Sequence, residues 1–160
     1  MTTQSIALRS FALDVHEGRT RQRLTIHGVE MIRKLSNEDT DGRVAIFHQN
    51  IPPMAGPPLH RYSREDECFY VLGADHDRGR RAANYSARWR FGVCASWYGT
   101  RLPKLRPAPA QMLVMLSPGH LQQFFEELSL LNPGQSALDP VRVEQLMNKY
   151  GAELLGPPLA

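Results

Sequence analysis

An all-β fold, a sandwich or barrel followed by short C-terminal helices, is what this 160-residue sequence predicts. Three observations predict it. Short apolar runs recur between Pro- and Gly-rich breaks from Arg23 to Ser117. One of them, Val44 to Ile51, alternates with a period of two. The apolar spacing changes to that of a helix only after Gly119.

The elements follow in order. Met1 to Thr20 carries mixed charge with little periodicity and reads as a loose arm or a short leading strand. Arg23 to Gly28 and Val29 to Leu35 read as short strands, bent at Gly28. Ser36 to Gly42 is polar, and Asp41-Gly42 is a hairpin signal. Val44 to Ile51 alternates Val44, Ile46, His48 and Asn50 against Ala45, Phe47, Gln49 and Ile51, the pattern of a half-buried strand. Pro52-Pro53 and Gly56-Pro57-Pro58 then halt regular pairing, because proline lacks the backbone donor and forces its predecessor extended. The chain turns a corner there and presents Leu59 to Tyr62 at the mouth of the next strand, Glu67 to Leu72. Gln111 to Ser117 reads as a buried strand. Leu121, Phe124, Phe125 and Leu128 fall at helical spacing, and Phe124 and Phe125 read as core or as the apolar surface of a dimer. A second helix starts with Asp139 as N-cap and Pro140 as first residue, carries Val143, Leu146, Met147 and Tyr150 on one stripe, and stops at Gly151. The expected organisation is an arm with first strands over residues 1–28, a barrel over 29–120 and a helical segment over 121–160.

Composition narrows the function classes. Hydrophobic residues make up 42%, enough for a core, and charged residues 22%, ordinary for a soluble protein. The net charge of +3 is unevenly placed. Residues 74–107 hold eight basic and two acidic residues, while the rest holds eleven basic and fourteen acidic. A nucleic-acid partner would rest on that one segment, and none is expected. Met1 to Ser10 has no apolar core of a secretory signal, and no apolar run approaches membrane-spanning length, so no membrane partner is expected and the reading is a soluble, cytoplasmic protein. The two cysteines, Cys68 and Cys94, form no CxxC pair, and Cys68 reads as a small buried thiol.

Chemistry concentrates at residues 56–72. His60, Tyr62 and Glu67 cluster around a bend that enters an apolar strand, and an imidazole and a carboxylate beside a rigid strand can hold a metal ion. Taken singly, His60 reads as a hydrogen-bonded turn residue, Glu67 as a solvated neighbour of Glu65 and Asp66, and Tyr62 as a packed aromatic.

As a stretch, Gly56 to Leu72 resembles the first motif of the cupin superfamily, especially its small single-domain members similar to quercetin dioxygenases. That motif has a glycine, a His-x-His, a Glu and the start of a strand. Gly56, His60 and Glu67 match it at the right spacing, and Pro57-Pro58-Leu59 and Phe69-Tyr70-Val71-Leu72 resemble its flanks. Ala108 to Leu128, Lys149-Tyr150-Gly151 and Gly156-Pro157-Pro158-Leu159 resemble the family's late strand, first helix and tail. The resemblance implies a jelly roll. It also implies a divalent transition metal (Fe, Mn, Ni, Cu or Zn) held by His60 and Glu67, with Tyr62 where the family has its second histidine. It further implies a small organic substrate in the barrel, dioxygenase-like oxidoreductase chemistry and a homodimer. The alternative is a metal-poor binding module, or an inactive relic.

The family's second motif, a Gly, a Pro-x-Gly turn, a His ligand and an Asn, is missing between Leu72 and Ala108. Residues 74–107 contain no Glu, Ile, Met or Gln, yet hold both tryptophans. Our hypothesis is that this segment is written in the wrong reading frame. Arg88 to Leu105, back-translated with permissive codons and read one base later, becomes Ala-Gly-Asp-Ser-Val-Phe-Ala-Pro-Ala-Gly-Thr-Val-His-Ala-Tyr-Gln-Asn, which contains the missing motif. His76 between Asp75 and Asp77, and the Arg78-Gly79-Arg80-Arg81 run, are then accidents of frame rather than a metal cluster and a nucleic-acid patch. A gene whose other frame does not spell the motif sinks the hypothesis.

Overall fold

Left-handed turns fold the first three strands against one another in the computed structural model, which describes residues 10–53, 55, 58–74, 91–94, 109–131 and 139–156. Strands β1 (Arg23–Ile26) and β2 (Val29–Leu35) are joined by His27 and Gly28, at φ 49° and 79°. Positive φ at both central residues matches a two-residue turn to the strands' twist. A single 3-10 turn, Glu38–Thr40, then leads into Asp41 and Gly42, at φ 51° and 82°. These are residue types that tolerate this region, and β3 (Ala45–Ile51) follows.

The remaining elements are β4 (Leu59–Tyr62), β5 (Asp66–Ala74), β6 (Phe91–Cys94), β7 (Ala110–Ser117), helices α1 (Gln122–Leu130) and α2 (Pro140–Tyr150), and β8 (Ala152–Gly156). All strand pairings are antiparallel. One sheet runs β1-β2-β3-β7-β5-β6, and a two-stranded sheet pairs β4 with β8. This is the expected all-β architecture with short C-terminal helices.

Register decides what faces inward. Phe47 pairs with Val114, which pairs with Phe69, and all three are buried. The next inward row is Ala45, Leu116 and Glu67. Helix α1 lays Phe124, Phe125 and Leu128 over these rows, with Phe125 edge-on to Phe47 at 5.7 Å between ring centroids. Tyr62 and Ala152 of the small sheet, and Leu146, Met147 and Tyr150 of α2, close the same core. Each buried aromatic contributes about 2–3 kcal/mol by removal of apolar surface from water. Helix α2 begins and ends as its sequence demands. The Asp139 carboxylate accepts from Val141 N at 3.0 Å, and Gly151 closes the helix at φ 65°.

The outward parity of the large sheet is covered as well. Ile32 and His48 point away from the core, yet each is only 1% exposed. The arm lies there, with Gly18 against Ile32. It is fastened by the Lys34 ammonium, which donates to the carbonyls of Asp14 and Val15 at 2.7 and 2.8 Å and to that of Glu17. Arg19 adds a two-point bond to Asp39 and, with burial opposing and Ser36 assisting, holds the Asp39 carboxyl down at about 2. Burial pushes the His48 imidazole below its ordinary value.

Three strands depart from the sequence reading. Leu59–Tyr62, expected at the mouth of a strand, is itself a strand, and its partner β8 lies in the segment read as helical. Four or five residues are too few to show a period, and these two acquire their conformation from each other. The pairing is reinforced by Arg61 Nε donating to Glu153 Oε2 at 2.7 Å. β6 was also unexpected; its four residues pair with the edge of β5. Residues 75–90 and 95–107, with His76, Arg78, Arg80 and Arg81, lie outside the described residues. Cys68, expected buried, is half-buried on the outward face of β5 and carries a free thiol whose pKa burial pushes up.

Candidate metal centre

Strand parity builds the site from two sheets. In β4 the burial alternates, so His60 and Tyr62 face in while Leu59 and Arg61 face out. In β5, Glu67 and Phe69 face in. The two sheets therefore bring an imidazole and a carboxylate together across the sandwich. His60 Nε2 and Glu67 Oε2 are 3.4 Å apart, with side chains 9% and 4% exposed.

The other ring nitrogen settles the proton. His60 Nδ1 lies 2.7 Å from the Pro58 carbonyl oxygen, which can only accept, so Nδ1 carries hydrogen. In the neutral ring Nε2 then presents a lone pair to Glu67. Glu67 Oε2 is buried and has no hydrogen-bond partner among the described residues. Two acceptors facing each other in an apolar pocket need a cation between them, either a proton on Nε2 or a metal ion. The spacing suits a metal. Ligand bonds of about 2.0–2.2 Å at a tetrahedral angle separate the ligand atoms by about 3.4 Å. Burial works to lower the His60 pKa, but Glu67 and the Pro58 carbonyl outweigh it and hold the pKa above its ordinary value.

Tyr62 is 3% exposed and packs edge-on to His60 at 5.1 Å and to Phe124 at 5.9 Å between centroids. All three candidate residues thus meet in one place. His60 and Glu67 touch, and the Tyr62 ring buttresses His60. Among the described residues no group of three His, Cys, Asp or Glu converges on a point.

The pair opens into a cavity of about 200 Å³ between the sheets and helices. Its wall is chiefly apolar, with Met31, Phe69, Phe124, Phe125, Leu128 and Met147. Gln49 of β3 and His27 of the first turn add polar groups. Burial pushes the His27 pKa below its ordinary value.

Sequence reasoning missed two features. One is Gln49. The other is a second pair, buried Glu65 with exposed His120, at 2.6 Å from Oε1 to Nε2. Glu65 is 1% exposed, and burial raises its pKa against the pull of His120 and Arg64. This contact ties the turn before Glu67 to the start of α1 and so helps place Glu67. The two partners are far apart in sequence, and no local pattern links them.

No protein-family model matches the chain, and no curated protein matches it. Among solved structures, the chain is similar to one from a study of the mechanism of oxalate oxidase, with 16% identity and a TM-score of 0.38, covering 93% of this chain and 85% of that one. It is also similar to a cupin-like protein from Thermotoga maritima, with 12% identity and a TM-score of 0.33, covering 91% of this chain and 90% of that one. At TM-scores this low the superpositions carry no argument by themselves.

Proposed function

We propose that this chain is a cupin in which His60 and Glu67 bind a divalent transition metal at the wall of a small apolar pocket, and that it acts on a small organic molecule there as a dioxygenase-like enzyme. One observation carries the proposal: a tautomer-locked His60 nitrogen and an unpartnered Glu67 oxygen converge at ligand spacing. The metal would supply Lewis-acid and redox chemistry, with its remaining positions open to substrate. The Pro58 carbonyl orients His60, and the Tyr62 ring holds it from the side. Glu67 supplies the negative charge, and the phenylalanine wall excludes water and accepts an apolar substrate body.

A second reading, a metal-poor small-molecule binder, is favoured by the convergence of only two such donors among the described residues. Two protein ligands hold a metal less tightly than three. The readings separate in one experiment. The purified chain is stripped with chelator, dialysed against Fe, Mn, Ni, Cu or Zn, and analysed for bound metal beside His60→Ala. Near-stoichiometric metal that is lost in His60→Ala supports the enzyme. Retention of the same metal by the variant, or none in either protein, rejects it.

A further inference from the structure

We infer that the pocket selects an uncharged, single-ring molecule with a polar group at each end, and that the Gln49 amide reads the end remote from the His60–Glu67 pair. This rests on the pocket reading above and not on the presence of a metal.

Size sets the first limit. A cavity of about 150 Å³ accepts benzene, and drug-sized ligands need roughly 300 Å³ or more. At about 200 Å³ this cavity holds one ring with small substituents.

Charge sets the second. No lysine or arginine lines the cavity among the described residues, and the ionisable groups there are Glu67, Tyr62 and the imidazoles of His60 and His27. In the metal-free chain a ligand carboxylate or phosphate would meet the Glu67 carboxylate across an apolar space with no lysine or arginine to pair with.

Position sets the third. Gln49 faces the cavity from β3, four residues beyond Ala45, whose row across the sheet ends in Glu67. At about 3.3 Å per residue that is roughly 13 Å along the strand, so Gln49 stands at the other end of the pocket from the pair. Its amide is half-buried and makes no side-chain hydrogen bond among the described residues. A half-buried amide inside an apolar wall offers both donor and acceptor to whatever fills the space.

Calorimetric titration of the full chain tests this, with chelator and again after metal loading. The probes are 4-methylphenol, 4-(hydroxymethyl)phenol and 4-hydroxybenzoate. The alcohol should bind tightest. In chelator the carboxylate should bind at least about tenfold more weakly than the alcohol, for want of a counter-cation. Gln49→Leu should weaken the alcohol about five- to tenfold, the worth of one hydrogen bond, and leave 4-methylphenol unchanged. Gln49→Met, closest in shape, replaces Gln49→Leu if the latter melts early by circular dichroism. The inference is overturned if none of the three binds, if the carboxylate matches the alcohol in chelator, or if the Gln49 variant affects alcohol and methylphenol alike. Gln49 discrimination in a chain that takes up no metal on loading overturns the metal proposal and leaves this one standing.

Discussion

Glu67→Gln keeps the shape of the carboxylate and removes its charge, and the structure dictates what that does to His60. In metal-free protein, burial opposes a charged ring, while Glu67 at 3.4 Å and the Pro58 carbonyl at 2.7 Å favour it and prevail, so the His60 pKa lies above 6.5. A histidine pKa raised on folding adds stability that is complete below the unfolded value and disappears as pH rises through the folded one. In the variant the largest favourable partner is gone. Burial then outweighs the Pro58 carbonyl, and the pKa falls below 6.5. The sign inverts, and the variant loses stability as pH falls from 6.5 towards the new folded value, by about 1.4 kcal/mol per pH unit. Near pH 8, where the His60 ring is neutral and the ion pair is lost in both, the two proteins should differ by only about 1 kcal/mol. Towards pH 5.5 the gap should widen, because the wild-type ring gains stability on protonation where the variant's loses it. Urea unfolding across this range in chelator measures the gap, and NMR titration of the His60 ring measures its cause. A gap that stays constant with pH, or a His60 that titrates at the same pH in both proteins, refutes the reasoning.

Gly119 is buried at the entry to α1, where an added Cβ would stand 2.6 Å from Val44 C and 2.9 Å from Ala45 N. Backbone atoms cannot swing aside, so Gly119→Ala should lower stability by about 2–4 kcal/mol in denaturant unfolding. At Gly28 the same addition meets nothing within 4 Å but forces an alanine to φ 79°, and about 1 kcal/mol is expected there. Equal losses at both sites would contradict the packing described. The reading-frame hypothesis has its own test: a chain carrying the one-base-shifted text in place of Arg88 to Leu105 should bind metal more tightly than this chain, and unchanged metal affinity would count against it.

What was legible in the sequence is what local physics decides. His27-Gly28 and Asp41-Gly42 adopt positive φ because their residue types allow it, and Asp139-Pro140 and Gly151 bound α2 for the same kind of reason. The alternation of β3 sorts Phe47 from His48 correctly. It says nothing of the arm, which covers the outward face and makes Ile32 and His48 as buried as the core. The β4–β8 pairing was illegible because each strand is defined by a partner about ninety positions away; Arg61 and Glu153 are 92 residues apart.

The candidate site divides along the same line. His60 and Glu67 could be named from their motif, but not the facts that make them a cation site. Their meeting across two sheets and the locking of His60 by Pro58 belong to the fold. The sharing of one face by His60 and Tyr62 was readable once Leu59–Tyr62 is a strand, since residues two apart on a strand always share one. Gln49 was within reach without any structure. The alternation of Val44 to Ile51 places it in the same set as Ala45, Phe47 and Ile51, and a polar side chain sorted into an apolar set must find a partner or a ligand. In this fold it faces a cavity and has no side-chain partner among the described residues, which is the argument for looking to a ligand.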